Sequence, residues 1–145
     1  MHPAIAAASL TLASALGLAV YIASRAERDA PKREMLAVLG VLVVWTVGTL
    51  CRFSSSTETG LWASLHLVFF GIFFSSPLWL VSSLQSARHP LAERREFRAA
   101  LLVPSALAFA AFLTNDAHRL VMREVSFAAL ERGGTAWAGP LFWLY

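Results

Sequence analysis

The sequence predicts an all-α membrane protein, a multi-helix transmembrane bundle, and three observations carry that prediction. Apolar residues make up 57% of the 145 residues and charged residues only 14%, where a soluble domain carries about 25% charged residues. The apolar residues fall in long unbroken runs, and a spanning helix needs roughly 20 of them in succession to cross a hydrocarbon core about 30 Å thick. The arginines cluster in short segments between those runs. The net charge of +3 and pI of 9.8 are basic enough to raise nucleic acid as a partner. The layout is that of membrane loops rather than of a basic groove, so the partner is the lipid bilayer and not nucleic acid.

The first apolar segment covers residues 4–23, rich in Ala, Leu and Ser, with Gly17 in the middle and Tyr21 near one end. A cleaved signal peptide needs a positive n-region and a shorter apolar run. Only Met1, His2 and Pro3 precede this segment, so it reads as a retained helix. A polar connector, residues 25–34, follows, and Pro31 interrupts continuous helix there. The second segment, residues 35–53, is apolar almost throughout and leads into the short turn-forming run SSSTETG. The third, residues 61–84, contains Pro77, which kinks a helix or loosens its backbone hydrogen bonding. A second basic connector spans residues 85–98, and the fourth segment, 97–114, contains Pro104 and carries at its start Arg98, which must snorkel toward the interface.

Beyond it, residues 115–138 are polar and their pattern is mixed. Val121, Arg123, Val125 and Phe127 alternate ahead of the Gly133–Gly134 pair, a hairpin signal. Helical spacing is also met in part by Val121, Met122, Val125, Ala128 and Ala129. The balance favours a small extracellular hairpin capping the bundle. Residues 139–145, GPLFWLY, begin a fifth apolar run; seven helical residues rise only about 10 Å, so the sequence reads as an incomplete region, 1–145, that stops inside a fifth helix.

Lys and Arg counts in the short loops give the orientation. The first connector holds Arg25, Arg28, Lys32 and Arg33, and the third holds Arg88, Arg94, Arg95 and Arg98. The second holds none, with Arg52 at its margin, while Arg119, Arg123 and Arg132 in the fourth are mixed with Asp116, Glu124 and Glu131. The expectation is a multi-pass protein of the cell membrane with its N-terminus extracellular or periplasmic.

Residues able to carry chemistry are few. Ionisable groups deep in a membrane are costly and therefore functional suspects. His66 lies a little over one turn into the third segment, either as a titrating sensor or, the more favoured reading, as a helix-packing hydrogen-bonding group. Asp116 and His118 stand together where the fourth segment leaves the membrane, but two candidate ligands are too few for a metal site. The simpler reading is that the Thr114–Asn115–Asp116 stretch ends a helix and captures free backbone groups. No phosphate-binding Gly-rich loop, HExxH or GxSxG motif occurs, and no carboxylate pair suggests acid–base work, so neither catalysis nor a cofactor is expected within these residues. Cys51 reads as a small buried residue near a helix end. Trp45, Trp62, Trp79, Trp137 and Trp143 fit packing and interfacial anchoring, with a Trp-lined ligand pocket as the less favoured reading.

Three features in order resemble one family. GIFFSSPLWLVSSL, residues 71–84, carries a Pro followed by a Trp-Leu pair; LLVPSALAFAAFLTNDAHRL, residues 101–120, carries a proline and a terminal Thr-Asn then His; and GPLFWLY follows a variable outer stretch. Together they resemble the third, fourth and fifth helices of the N-terminal seven-transmembrane sensor region of bacterial membrane histidine kinases. The resemblance covers residues 35–145, and the first helix adds only hydrophobicity. It implies Pro77, Trp79, Pro104, Thr114, Asn115 and His118 as family-type positions and, with His66, candidates for signal sensing or a helix switch, Pro77 and Pro104 serving either as flexible points or equally as static kinks. It further implies an N-out module that passes a small ligand or membrane signal to a cytoplasmic output module, a kinase or a cyclic-dinucleotide enzyme. A homodimer is natural for paired outputs, although no GxxxG-type face stands out. The competing readings are a small transporter or channel subunit, which calls for more intramembrane polar residues than His66 and scattered Ser and Thr, and an intramembrane enzyme using Asp116 and His118.

Overall fold

The computed structural model describes residues 3–24, 30–123, 126, 128 and 138–140. Four helices, α1 (Pro3–Ser24), α2 (Ala30–Ser54), α3 (Glu58–Ser86) and α4 (Arg95–Leu113), occupy the apolar segments. All four are long and apolar enough to cross a membrane. The chain is an all-α membrane bundle.

Local chemistry extends the helices past their apolar runs. In α2 the helix starts at Ala30, so Pro31 falls in the first turn, where the N–H it lacks belongs to the set a helix leaves unpaired anyway. Helix α3 starts at Glu58 because Thr57 caps it, its Oγ1 accepting the Gly60 N–H at 3.1 Å. At the other end of α3 the chain turns through Arg88, which has a left-handed φ of 52°. That turn lets the His89 N–H reach back to the Leu84 carbonyl at 2.8 Å. A 3₁₀ turn, Pro90–Glu93, then leads into α4.

Helix α1 packs on α2, α2 on α3 and α3 on α4. The central helix α3 carries a buried stripe at four-residue spacing: Leu61, Leu65, Phe69, Phe73, Pro77, Val81 and Gln85. In α1 only Ala15 is buried, and in α4 only Ser105 and Phe112, so both present apolar side chains such as Leu10 and Leu107 outward. Two glycines set the α2–α3 distance. A methyl group on Gly48 would come within 2.6 Å of the Leu67 Cβ, and one on Gly71 would strike Trp45, whose Cα lies 3.0 Å away. With lipid as apolar as leucine, such close backbone approach is what holds membrane helices together.

The bundle has two ends. The basic end gathers the start of α2, the end of α3, the 3₁₀ turn and the start of α4. There Arg98 Nη1 sits 2.9 Å from Glu34 Oε1, and its Nε donates to the Ala92 carbonyl at 2.6 Å. Arg98 is thus held by a carboxylate on α2 as well as by the interface. The cap end gathers the α2–α3 turn and the chain beyond α4.

Cys51 is a correction: it is exposed, not buried. It lies on the outer side of the last turn of α2 with the exposed Phe53 and Ser54. In a membrane, a small thiol gains little by leaving lipid for protein.

Candidate functional site

At the cap end an aromatic core forms between α3 and α4. Phe112 stacks on Phe69 with ring centroids 4.3 Å apart and meets His66 edge-on at 5.3 Å and Trp62 at 6.0 Å. Phe109 packs edge-on against Phe70 at 5.6 Å and Phe74 at 6.0 Å. His66 donates Nδ1–H to the Trp62 carbonyl one turn back, at 2.8 Å. The bond lies within α3 itself, so it ties the imidazole to its own helix while the ring packs on Phe112.

Asn115 joins this core to the chain beyond. It is only 3% exposed and uses its whole amide. Oδ1 accepts the N–H groups of Val121 at 3.0 Å and Met122 at 2.9 Å, while Nδ2 donates to the Met122 carbonyl at 2.8 Å. Val121 and Met122 in turn are buried in the aromatic cluster. Met122 also forms an antiparallel bridge with Ala138, and Gly139 N–H donates to the Val121 carbonyl at 2.8 Å. Glycine is required there, because a Cβ on Gly139 would collide with the Leu120 carbonyl. The two ends of the expected hairpin therefore meet; its tip, and residues 141–145 of the expected fifth helix, lie outside the described residues.

A helical turn, Asn115–His118, ends at Arg119 in the left-handed region, φ 53°. Its His118 Nδ1 accepts the Leu120 N–H at 3.0 Å, which leaves the proton of the neutral ring on Nε2, 3.2 Å from Thr114 Oγ1. Thr114 Oγ1 in turn donates to the Ala110 carbonyl at 3.0 Å. Thr114, Asn115 and His118 thus form one connected unit that ends α4 and anchors the chain leading to Gly139. Asp116 is exposed, and among the described residues no group of three His, Cys, Asp or Glu side chains converges as a metal site.

Toward the basic end, α2 and α3 stay packed, with Val38, Leu39, Val41, Val81 and Ser82 buried. Between them opens a cleft of about 390 Å³ lined by Val38, Leu42, Trp45, Ser75, Ser76 and Trp79. Trp79 is 58% exposed and Trp45 37%. Pro77, buried between Ser76 and Trp79 on the helix axis, has no N–H to give the carbonyl one turn back. Ser75 Oγ turns inward to the Ile72 carbonyl at 3.4 Å, so the cleft wall is almost wholly hydrocarbon and indole.

Of the positions singled out in the sequence, the cap end gathers Thr114, Asn115, His118 and His66, the cleft is lined by Trp79, and Pro77 lies buried in the same stretch of α3. Pro104 joins neither; it is exposed on α4. Sequence reasoning missed Val38, Leu42, Trp45, Ser75 and Ser76 as a set. The Ser-Ser-Pro run inside an apolar helix was the available signal, since small hydroxylated residues beside a proline leave room and backbone freedom. It also missed the Glu34–Arg98 pair, 64 residues apart and without any local pattern.

A family model described as the N-terminal 7TM region of histidine kinase matches residues 7–145. No curated protein matches the chain, and no solved structure does.

Proposed function

The chain belongs to the family of N-terminal 7TM regions of histidine kinases, and from that premise we propose that it receives an external or membrane-borne signal and hands it to a cytoplasmic output module such as a histidine kinase. It is a multi-pass protein of the cell membrane, of the kind that serves histidine kinases as sensory input. The observation that carries the proposal is the extent of the match, from the first spanning helix to the last residue.

The expected orientation places the N-terminus outside. Lys32, Arg33, Arg88, Arg94, Arg95 and Arg98 all lie at the basic end, with Arg52, Arg119 and Arg123 at the cap end, and the richer end faces the cytoplasm. A signal at the cap end would then act through α3 and α4, whose aromatic core it adjoins. Transmission needs two helix arrangements that the signal binds unequally, and Pro77 gives α3 a point about which its basic half can shift.

Two experiments test this. Sequencing the gene past the codon for Tyr145 should reveal further apolar helices and then a kinase core; an immediate stop codon would overturn the proposal. For orientation, a Cys51→Ser background should carry Ser56→Cys or His89→Cys. Membrane-impermeant maleimide should label the first in intact spheroplasts and the second only after permeabilisation. The reverse pattern would invert the assignment.

A further inference from the structure

The Trp45–Trp79 cleft lies close beneath the most basic surface of the molecule. Measured along α3, Trp79 stands nine residues before Arg88, about 13 Å at 1.5 Å per residue. Exposed at that level are Arg33, Arg88, Arg94 and Arg95, against the exposed carboxylates Glu93 and Glu96. Glu34 is already taken by Arg98. A hydrocarbon cleft at bilayer depth with a cationic rim about 13 Å away has the dimensions of one amphiphile, an anionic head and an acyl chain.

Arg88 adds an independent observation. It occupies the left-handed turn at the end of α3, a position where glycine is unstrained and other side chains carry a cost of order 1 kcal/mol. The turn itself does not need a guanidinium, since its hydrogen bonds run from the backbone of Arg88 and His89 to Gln85 and Leu84. An arginine there projects from a backbone fixed two residues past the end of the helix that carries Trp79.

We propose that the cleft and its arginine rim bind one anionic phospholipid from the leaflet at the basic end, the acyl chain between the two indoles and the phosphate at the level of Arg88. The almost purely apolar wall selects a chain rather than a headgroup for the cleft. The rim selects the headgroup, because juxtamembrane arginines attract anionic lipid and basic pockets between helices bind it. The inference needs the bundle to lie in a membrane but needs neither a signalling output nor a particular orientation, so its failure leaves the sensory reading untouched.

Brominated lipids test it in the full-length protein in nanodiscs. Phosphatidylcholine nanodiscs would carry a rising fraction of either dibromo-phosphatidylglycerol or dibromo-phosphatidylcholine, bromines at mid-chain. The Trp79 signal is the fluorescence difference from Trp79→Phe. The phosphatidylglycerol should quench it at a lower mole fraction, by about fivefold for each arginine engaged, and the advantage should shrink as salt rises. Arg88→Gly, which relaxes the turn and so preserves the fold, should reduce the preference by about that factor. Equal quenching by the two lipids overturns the proposal, and so does a preference that Arg88→Gly leaves undiminished. Absence of quenching by either lipid overturns it too, and would mean that protein, a second copy or another segment of the chain, covers the cleft.

Discussion

The two ends of the bundle solve the problem of holding helices together in lipid by different means. At the cap end, α3, α4 and the chain beyond them interlock: aromatic rings fill the gap, and one buried amide ties the backbone of Val121 and Met122 to the turn that follows α4. At the basic end, α2 and α3 leave an open cleft beside Trp45 and Trp79, and an ion pair joins α2 to α4. In hydrocarbon the hydrophobic effect offers helices no reason to associate, so stability tracks van der Waals fit and hydrogen bonds. The cap end has both in quantity. The difference teaches that the bundle is tied by rings and a buried amide at its cap end and leaves room between two helices at its basic end.

The largest expected effect lies at Asn115. In Asn115→Ala the N–H groups of Val121 and Met122 and the Met122 carbonyl lose their side-chain partner in a buried site, at about 3 kcal/mol. Unfolding of the purified protein in mixed micelles, by titrating in SDS and following far-UV ellipticity, measures this. A loss below about 1 kcal/mol would mean that the cap end is not the firm end, and the comparison would fail.

Next in size is the glycine contact between the ends. Gly71→Ala places a methyl group against Trp45 and its backbone, and overpacking of this sort costs about 1–3 kcal/mol. Gly40→Ala, where nothing lies within 4 Å, is the control. The same SDS titration should separate the two variants; equal stability would show that α2 and α3 are not locked at that point.

Those two positions also show what can be read from sequence. The four helices were legible because spanning a membrane imposes a length and a composition that few other constraints mimic. Asn115 was legible as a helix-ending polar residue, since the need to satisfy backbone groups is local. What its amide binds was not, because Val121 and Met122 are six and seven residues on, and only the course of the turn through Arg119 returns them to it. The cleft was illegible for a similar reason: Trp45 and Trp79 sit on different helices, and only the packing of α2 on α3 sets them beside one cleft. Cys51 was misread because the rule that cysteines are buried comes from proteins in water.

The third contrast is between the two prolines. Pro77 is buried at the cleft and Pro104 exposed on α4. Pro77→Ala restores a backbone donor in the half of α3 that lines the cleft and should change stability by within about 1 kcal/mol while altering output. Pro104→Ala should change neither. Autophosphorylation in membranes containing the full-length protein is the readout, and output indifferent to Pro77→Ala would remove α3 as the moving part.

The smallest effect belongs to the ion pair. Glu34 and Arg98 remain 20% and 32% exposed, so their attraction is partly screened and worth about 0.5 kcal/mol. Glu34→Gln should therefore leave the SDS midpoint almost unmoved, and Arg98→Gln should cost slightly more because Arg98 also donates to the Ala92 carbonyl. A double-mutant cycle isolates the pair from that second bond. A coupling energy above about 2 kcal/mol would place the pair in the class of buried, desolvated ion pairs. The basic end would then be clamped across α2 and α4, and the room left there would lie in the α2–α3 cleft alone.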